Sequence, residues 1–106
     1  MKKTDIEILK DAVIVVLKNI YDPEIPLNIY NLGLIYEIDI DEKFNVRILM
    51  TLTSANCPVA ESLLAEVRQT IGNINSVNNA EVVLTFEPPW DQENLSDEAK
   101  LELGLL

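Results

Sequence analysis

Leu34-Ile35-Tyr36-Glu37-Ile38-Asp39-Ile40-Asp41-Glu42-Lys43-Phe44-Asn45-Val46-Arg47-Ile48-Leu49-Met50-Thr51-Leu52-Thr53 decides the architecture of this chain. The stretch contains two runs that alternate with period two. In the first, Leu34, Tyr36, Ile38 and Ile40 fall on one side, and Glu37, Asp39 and Asp41 on the other. In the second, Val46, Ile48, Met50 and Leu52 face one way, and Arg47, Leu49, Thr51 and Thr53 the other. Such alternation predicts two strands, each with one face against a core. The residues between them, Asp41-Glu42-Lys43-Phe44, are few enough for a hairpin. The two strands are therefore expected to be antiparallel neighbours.

Helical periodicity flanks the hairpin. Ile6, Leu9, Val13, Val16, Leu17 and Ile20 recur at the spacing of one helix face, predicting a helix over 5–20 with Thr4 or Asp5 as its N-cap. Asp22-Pro23 should end it, because the residue before a proline is pushed toward extended conformations. The following loop to Gly33 holds two prolines and four apolar residues (Ile25, Leu27, Ile29 and Leu32), so it should be ordered and packed on the core. Gly33 is expected to take a backbone angle that other residues avoid. A second helix is predicted over 58–73, with Val59, Leu63, Val67, Ile71 and Ile74 inward and Leu64 widening that face. Pro58 suits its first position, where a missing N–H costs nothing, and Gly72 or Asn73 should close it. Residues 80–86 predict a third strand with Val82, Leu84 and Phe86 inward, ended by Pro88-Pro89. Ser96 reads as the N-cap of a short helix over 99–103, stopped by Gly104. The order α-β-β-α-β plus a short C-terminal helix predicts an α+β fold: a small mixed sheet of three main strands with two packed helices. At 106 residues, 1–106 is expected to be one domain.

Composition excludes several function classes. The formal charge is −10, from 18 acidic and 8 basic residues, so a nucleic-acid partner is not expected. No apolar run approaches the roughly 18 residues of a membrane span, and no signal peptide is recognisable, so a cytoplasmic protein is expected. Three glycines do not form a phosphate-binding loop. The chain has no histidine, which removes the Ser-His-Asp and Cys-His arrangements and the commonest general base. Its single cysteine rules out an internal disulfide and fits a reducing compartment.

That cysteine, Cys57, stands at the start of the second predicted helix. Unpaired backbone N–H groups and the positive end of the helix dipole favour thiolate there, the form that attacks electrophiles and binds soft metals. The competing reading is a small buried hydrophobe. Two further segments are odd choices for simple packing: the Asp22-Pro23-Glu24 turn and the exit Glu87-Pro88-Pro89-Trp90. Asp22 or Glu24 can orient Cys57, accept a proton or supply an oxygen ligand; Asp22 can equally make a local turn bond. Thr51 and Thr53 either form the solvent-facing row of their strand or assist the thiol. Trp90 either covers the edge of the core or, if exposed, anchors a partner. One chain offers one sulfur ligand, whereas an iron–sulfur cluster normally takes four protein thiolates. No cofactor is therefore expected to be bound stably. A transient iron–sulfur cluster could be shared between two chains or with a client, with Cys57 as the metal ligand.

Taken together, five segments resemble the SufT/PaaD-like family. They are residues 22–29, residues 32–36, Met50-Thr51-Leu52-Thr53 with Asn56-Cys57-Pro58, Glu87-Pro88-Pro89-Trp90, and residues 98–104. They span nearly the whole chain in the family's order. The resemblance implies a fold similar to the C-terminal domain of NifU-type scaffolds and a role in iron–sulfur protein maturation. It maps the family's cysteine onto Cys57, its acidic turn onto Asp22, Pro23 and Glu24, and its threonines onto Thr51 and Thr53. The CxxC pair of NifU-type scaffolds is missing from this sequence, and no fused ATPase domain is expected. The function expected is an accessory factor in iron–sulfur cluster assembly or delivery, not an enzyme, working with assembly proteins and client apoproteins and able to form a homodimer. The alternatives are a PaaD-like subunit or maturation partner of a phenylacetyl-CoA oxygenase, a thiol enzyme with Cys57 as nucleophile, and an interaction module whose cysteine is merely buried.

Overall fold

The structure, a computed structural model, describes residues 4–22, 25–53 and 57–104. Helix α1 (Asp5–Leu17) starts where the sequence places its cap: the Thr4 hydroxyl accepts a hydrogen bond from Glu7 N at 3.1 Å. A cap of this kind stabilises a helix by about 1 kcal/mol. The helix ends before the expected Ile20. Its last turn tightens, with Asn19 N bonding Val16 O and Ile20 N bonding Leu17 O, and Ile20 then turns away to accept from Ile29 N at 2.9 Å. The apolar periodicity ran on to Ile20 because that side chain is still in the core; its backbone has already left the helix.

Strands β1 (Ile35–Ile40) and β2 (Asn45–Met50) form the expected antiparallel hairpin, with a bulge between Ile35 and Glu37. The turn is held by Asp41, whose carboxylate accepts from Lys43 N, Asn45 N and Asn45 Nδ2 at 2.9–3.0 Å. Phe44 closes it at a positive φ of 63°, which a non-glycine residue adopts at a cost of about 1–3 kcal/mol. Its ring packs against the core in return.

Helix α2 (Cys57–Gly72) then crosses over, and strand β3 (Asn79–Leu84) returns parallel to β2, giving the sheet order β1-β2-β3. The sheet is mixed, as expected. Strand β3 is shorter than its alternation suggests. Thr85 N makes the last bond to β2, at Met50 O, and the Thr85 hydroxyl then accepts from Glu87 N, turning the chain out of the pleat. Phe86, expected inward, is consequently 43% exposed. A single 3-10 turn (Gln92–Asn94) and helix α3 (Asp97–Glu102) complete the chain, with the Ser96 hydroxyl capping Ala99 N at 3.0 Å and Gly104 at φ 76°.

One apolar cluster joins these elements. Leu9, Val13 and Leu17 of α1 and Leu63, Val67 and Ile71 of α2 lie over Val46, Ile48 and Met50 of β2. Ile48 is fully enclosed at the centre of the sheet, and trimming it to alanine would cost about 2–5 kcal/mol. Leu49 and Val83, paired across β2 and β3, are not part of this cluster. The helices therefore cover one face of the sheet, and the other carries the polar row of each strand.

Candidate functional site

Strand β2 runs directly toward the start of α2, and the polypeptide around that junction is organised by backbone bonds from distant segments. Thr51 N bonds Leu34 O at 2.8 Å, Leu34 N bonds Ile29 O at 3.2 Å, and Ile29 N bonds Ile20 O at 2.9 Å. These bonds stitch the loop between α1 and β1 onto the end of the sheet. A bridge between Tyr21 and Asn28, and a bond from Asp22 N to Leu27 O at 3.1 Å, close the loop on itself. Asp22 is thereby brought to the same end of the molecule as Thr51. Its exposure is 8%, and its Oδ2 accepts from Ile25 N at 2.8 Å, the local turn bond anticipated from its place before proline. Glu24 lies outside the described residues.

Thr51 does not lie in a solvent-facing row. It is 0% exposed, because at this end of β2 the side chains on both sides of the strand, Met50, Thr51 and Leu52, are enclosed. Among the described residues its hydroxyl also finds no hydrogen-bond partner. A buried polar group left unpaired costs about 1–3 kcal/mol, and valine would fill nearly the same volume without that penalty. Thr53, two residues on, is half-buried. Cys57 provides the first residue of α2, so its backbone stands at a helix N-terminus, as the sequence predicts. Its side chain lies outside the description. Among the described residues no group of three His, Cys, Asp or Glu side chains is placed to hold a metal ion.

The segment after β3 walls this end. The Trp90 indole N–H donates to Leu32 O at 2.7 Å, the Tyr36 hydroxyl donates to Pro88 O at 2.7 Å, and Ser96 N donates to Asn31 O at 3.0 Å. Trp90 is half-buried and packed on the core, so its polar atom is committed inside the molecule. Gly33 lies under the same strap at φ 79°, where a Cβ would collide with the backbone carbonyl of Asn94. Asn28 adds a further tie, its Oδ1 accepting from Asn31 N at 2.8 Å. Lys18 lies 5.4 Å from the centre of the Tyr30 ring, holding the end of α1 against the loop by cation–π attraction. Sequence reasoning found Asp22, Gly33, Thr51 and Trp90 but passed over Asn28, Asn31 and Tyr36. The Asn28–Asn31 bond is local, but Asn31 is tied to Ser96 and Tyr36 to Pro88, 52 residues away, and periodicity carries no signal for such remote pairs.

The family model described as "iron-sulfur cluster assembly protein" matches residues 10–82. The chain is 42% identical over 97 residues to an "Fe-S protein maturation auxiliary factor" of Porphyromonas gingivalis, covering 92% of each protein. It is 38% identical over 99 residues to the "Fe-S protein maturation auxiliary factor YitW" of Bacillus subtilis, covering 93% of this chain and 97% of that one. Among solved structures, the fold superposes with a TM-score of 0.85 on a domain of unknown function from Bacillus anthracis, at 37% identity and covering 94% of this chain and 95% of that one.

Proposed function

Because the chain belongs to the iron-sulfur cluster assembly protein family, we propose that it is an accessory factor in the assembly of iron–sulfur clusters or their delivery to client proteins, acting through protein contacts and Cys57. The cluster is cargo in this reading. A single thiolate supplies one of the four ligands a cluster normally takes, so the remaining ligands come from a second copy, an assembly protein or the client. Such a complex holds a cluster long enough to pass it on and not as a resident group. Cys57 is the first residue of α2, and the N–H groups of a first helical turn have no intrahelical partner, which favours thiolate there.

The observation that carries this reading is the Thr51 hydroxyl, fully enclosed and without a partner among the described residues, just past the end of β2 and six residues before Cys57. A strand end built only for stability would use valine there. We assign Thr51 as a hydrogen-bond donor to sulfur at the junction, with Asp22, Glu24 and Thr53 as supporting groups and Trp90 as a partner-facing edge. Two variants test it. Cys57→Ser should abolish transfer of a cluster to a client apoprotein, read by client absorbance and activity, while far-UV circular dichroism stays unchanged. Thr51→Val should reduce transfer without loss of thermal stability. Full transfer by both variants would overturn the assignment.

A further inference from the structure

The sheet face turned away from the helices carries its own pattern, independent of Cys57. Two rows cross the three strands on this side. In one, Glu37 lies beside Leu49, which lies beside Val83; in the next, Asp39 lies beside Arg47, which lies beside Glu81. Leu49 and Val83 are half-buried and lie outside the core cluster, so they form an apolar strip that remains partly open to solvent. The charges around the strip are unbalanced. Arg47 leans to Glu81, with Nε 3.6 Å from the carboxylate, and this leaves Glu37 and Asp39 on β1 without a cation among the described residues. Asp39, Asp41, Arg47 and Glu81 line a hollow of about 210 Å³ beside the strip. Carboxylates on alternate residues of a strand stand about 7 Å apart, a spacing that matches basic side chains on alternate residues of a facing segment.

We propose that this uncovered face is a docking surface for a protein partner that presents Lys or Arg side chains on either side of an apolar residue. Charge complementarity selects that occupant. A second copy of the chain would bring Glu37 and Asp39 against carboxylates of the same face, and its one Arg47 is already engaged. A nucleic acid would meet the same repulsion. A basic partner neutralises Glu37 and Asp39, and its apolar residue covers Leu49 and Val83. Electrostatic pairing of this kind sets the rate of encounter and the orientation of docking, and an apolar contact at the centre slows release.

The test uses the ¹⁵N-labelled full chain, titrated at low and at physiological salt with acetyl-Lys-Ser-Lys-Ser-Val-Ser-Lys-amide, whose lysines and valine share one face when extended, and with its serine counterpart acetyl-Lys-Ser-Lys-Ser-Ser-Ser-Lys-amide. The amide shifts should concentrate at Glu37, Asp39, Arg47, Leu49, Glu81 and Val83, and the valine peptide should bind more tightly than the serine peptide. The double variant Glu37→Lys/Asp39→Lys, at exposed positions that do not touch the core, should weaken binding by about tenfold or more. The control Glu98→Lys/Glu102→Lys, on α3, should leave it within about twofold. Three outcomes would overturn the proposal: shifts spread evenly over the acidic helices, equal loss in both double variants, or concentration-dependent shifts of the same face without peptide, which would make it a self-association surface.

Discussion

At one end of the sheet, Asp41 answers donors from Lys43 and Asn45, all within four residues of itself; at the other, Thr51 keeps a hydroxyl that nothing among the described residues answers. The hairpin end is local and satisfied. The α2 end is assembled from three distant stretches, with bonds such as Trp90 to Leu32 spanning 58 residues, and still leaves a polar group unpaired at its centre. Folding alone explains the first end. The second carries a penalty that its packing does not repay, and the proposed role of Thr51 at the α2 junction would account for it.

The largest break in this contrast should come from Gly33→Ala. The left-handed backbone and the collision with the Asn94 carbonyl together predict a loss of about 3 kcal/mol, read by urea denaturation, with faster hydrogen exchange at Ile29 and Leu34. Trp90→Phe keeps the ring packing but strands the Leu32 carbonyl, predicting a loss of about 1–2 kcal/mol and faster exchange in the same loop while the hairpin stays protected. Thr51→Val should move stability the other way, by about 1 kcal/mol or less, because it removes an unpaired hydroxyl and little else. A clear destabilisation by this variant would mean the hydroxyl has a partner after all.

The smallest effect belongs to the hairpin. Hydrogen bonds from the Asn45 side chain and backbone hold the Asp41 carboxyl below the usual carboxylate range. A depressed folded-state value means the stabilisation is complete above the unfolded-state pKa and fades as pH falls through the folded one. Wild-type hairpin amides should therefore lose protection on acidification below about pH 4, and Asp41→Asn should flatten that dependence. The effect is small because the carboxyl is exposed. A dependence equally strong in the Asn variant would place its origin elsewhere.

The same contrast explains what the sequence revealed. The hairpin, both long helices and the parallel return of β3 follow from periods of 2 and 3.6, from Thr4 and Ser96 as caps, and from prolines as stops. Gly33 was recognisable because few other residues suit its conformation. Where bonds join remote segments, the pattern misleads. Thr51 alternates like a surface residue but is enclosed, and Phe86 alternates like a core residue but is turned out by Thr85. The resemblance drawn from five separate segments reached the right family because it used their order along the chain, which periodicity ignores.

The strap from Pro88 to Ser96 sets an order of events during synthesis. The hairpin and both of its strands leave the ribosome well before Trp90 can reach Leu32 or Ser96 can reach Asn31. A nascent chain that has just completed β3 thus has the hairpin and α2 but lacks the ties from Trp90 to Leu32 and from Ser96 to Asn31. That end of the sheet is therefore closed last, once Trp90 and Ser96 have both emerged.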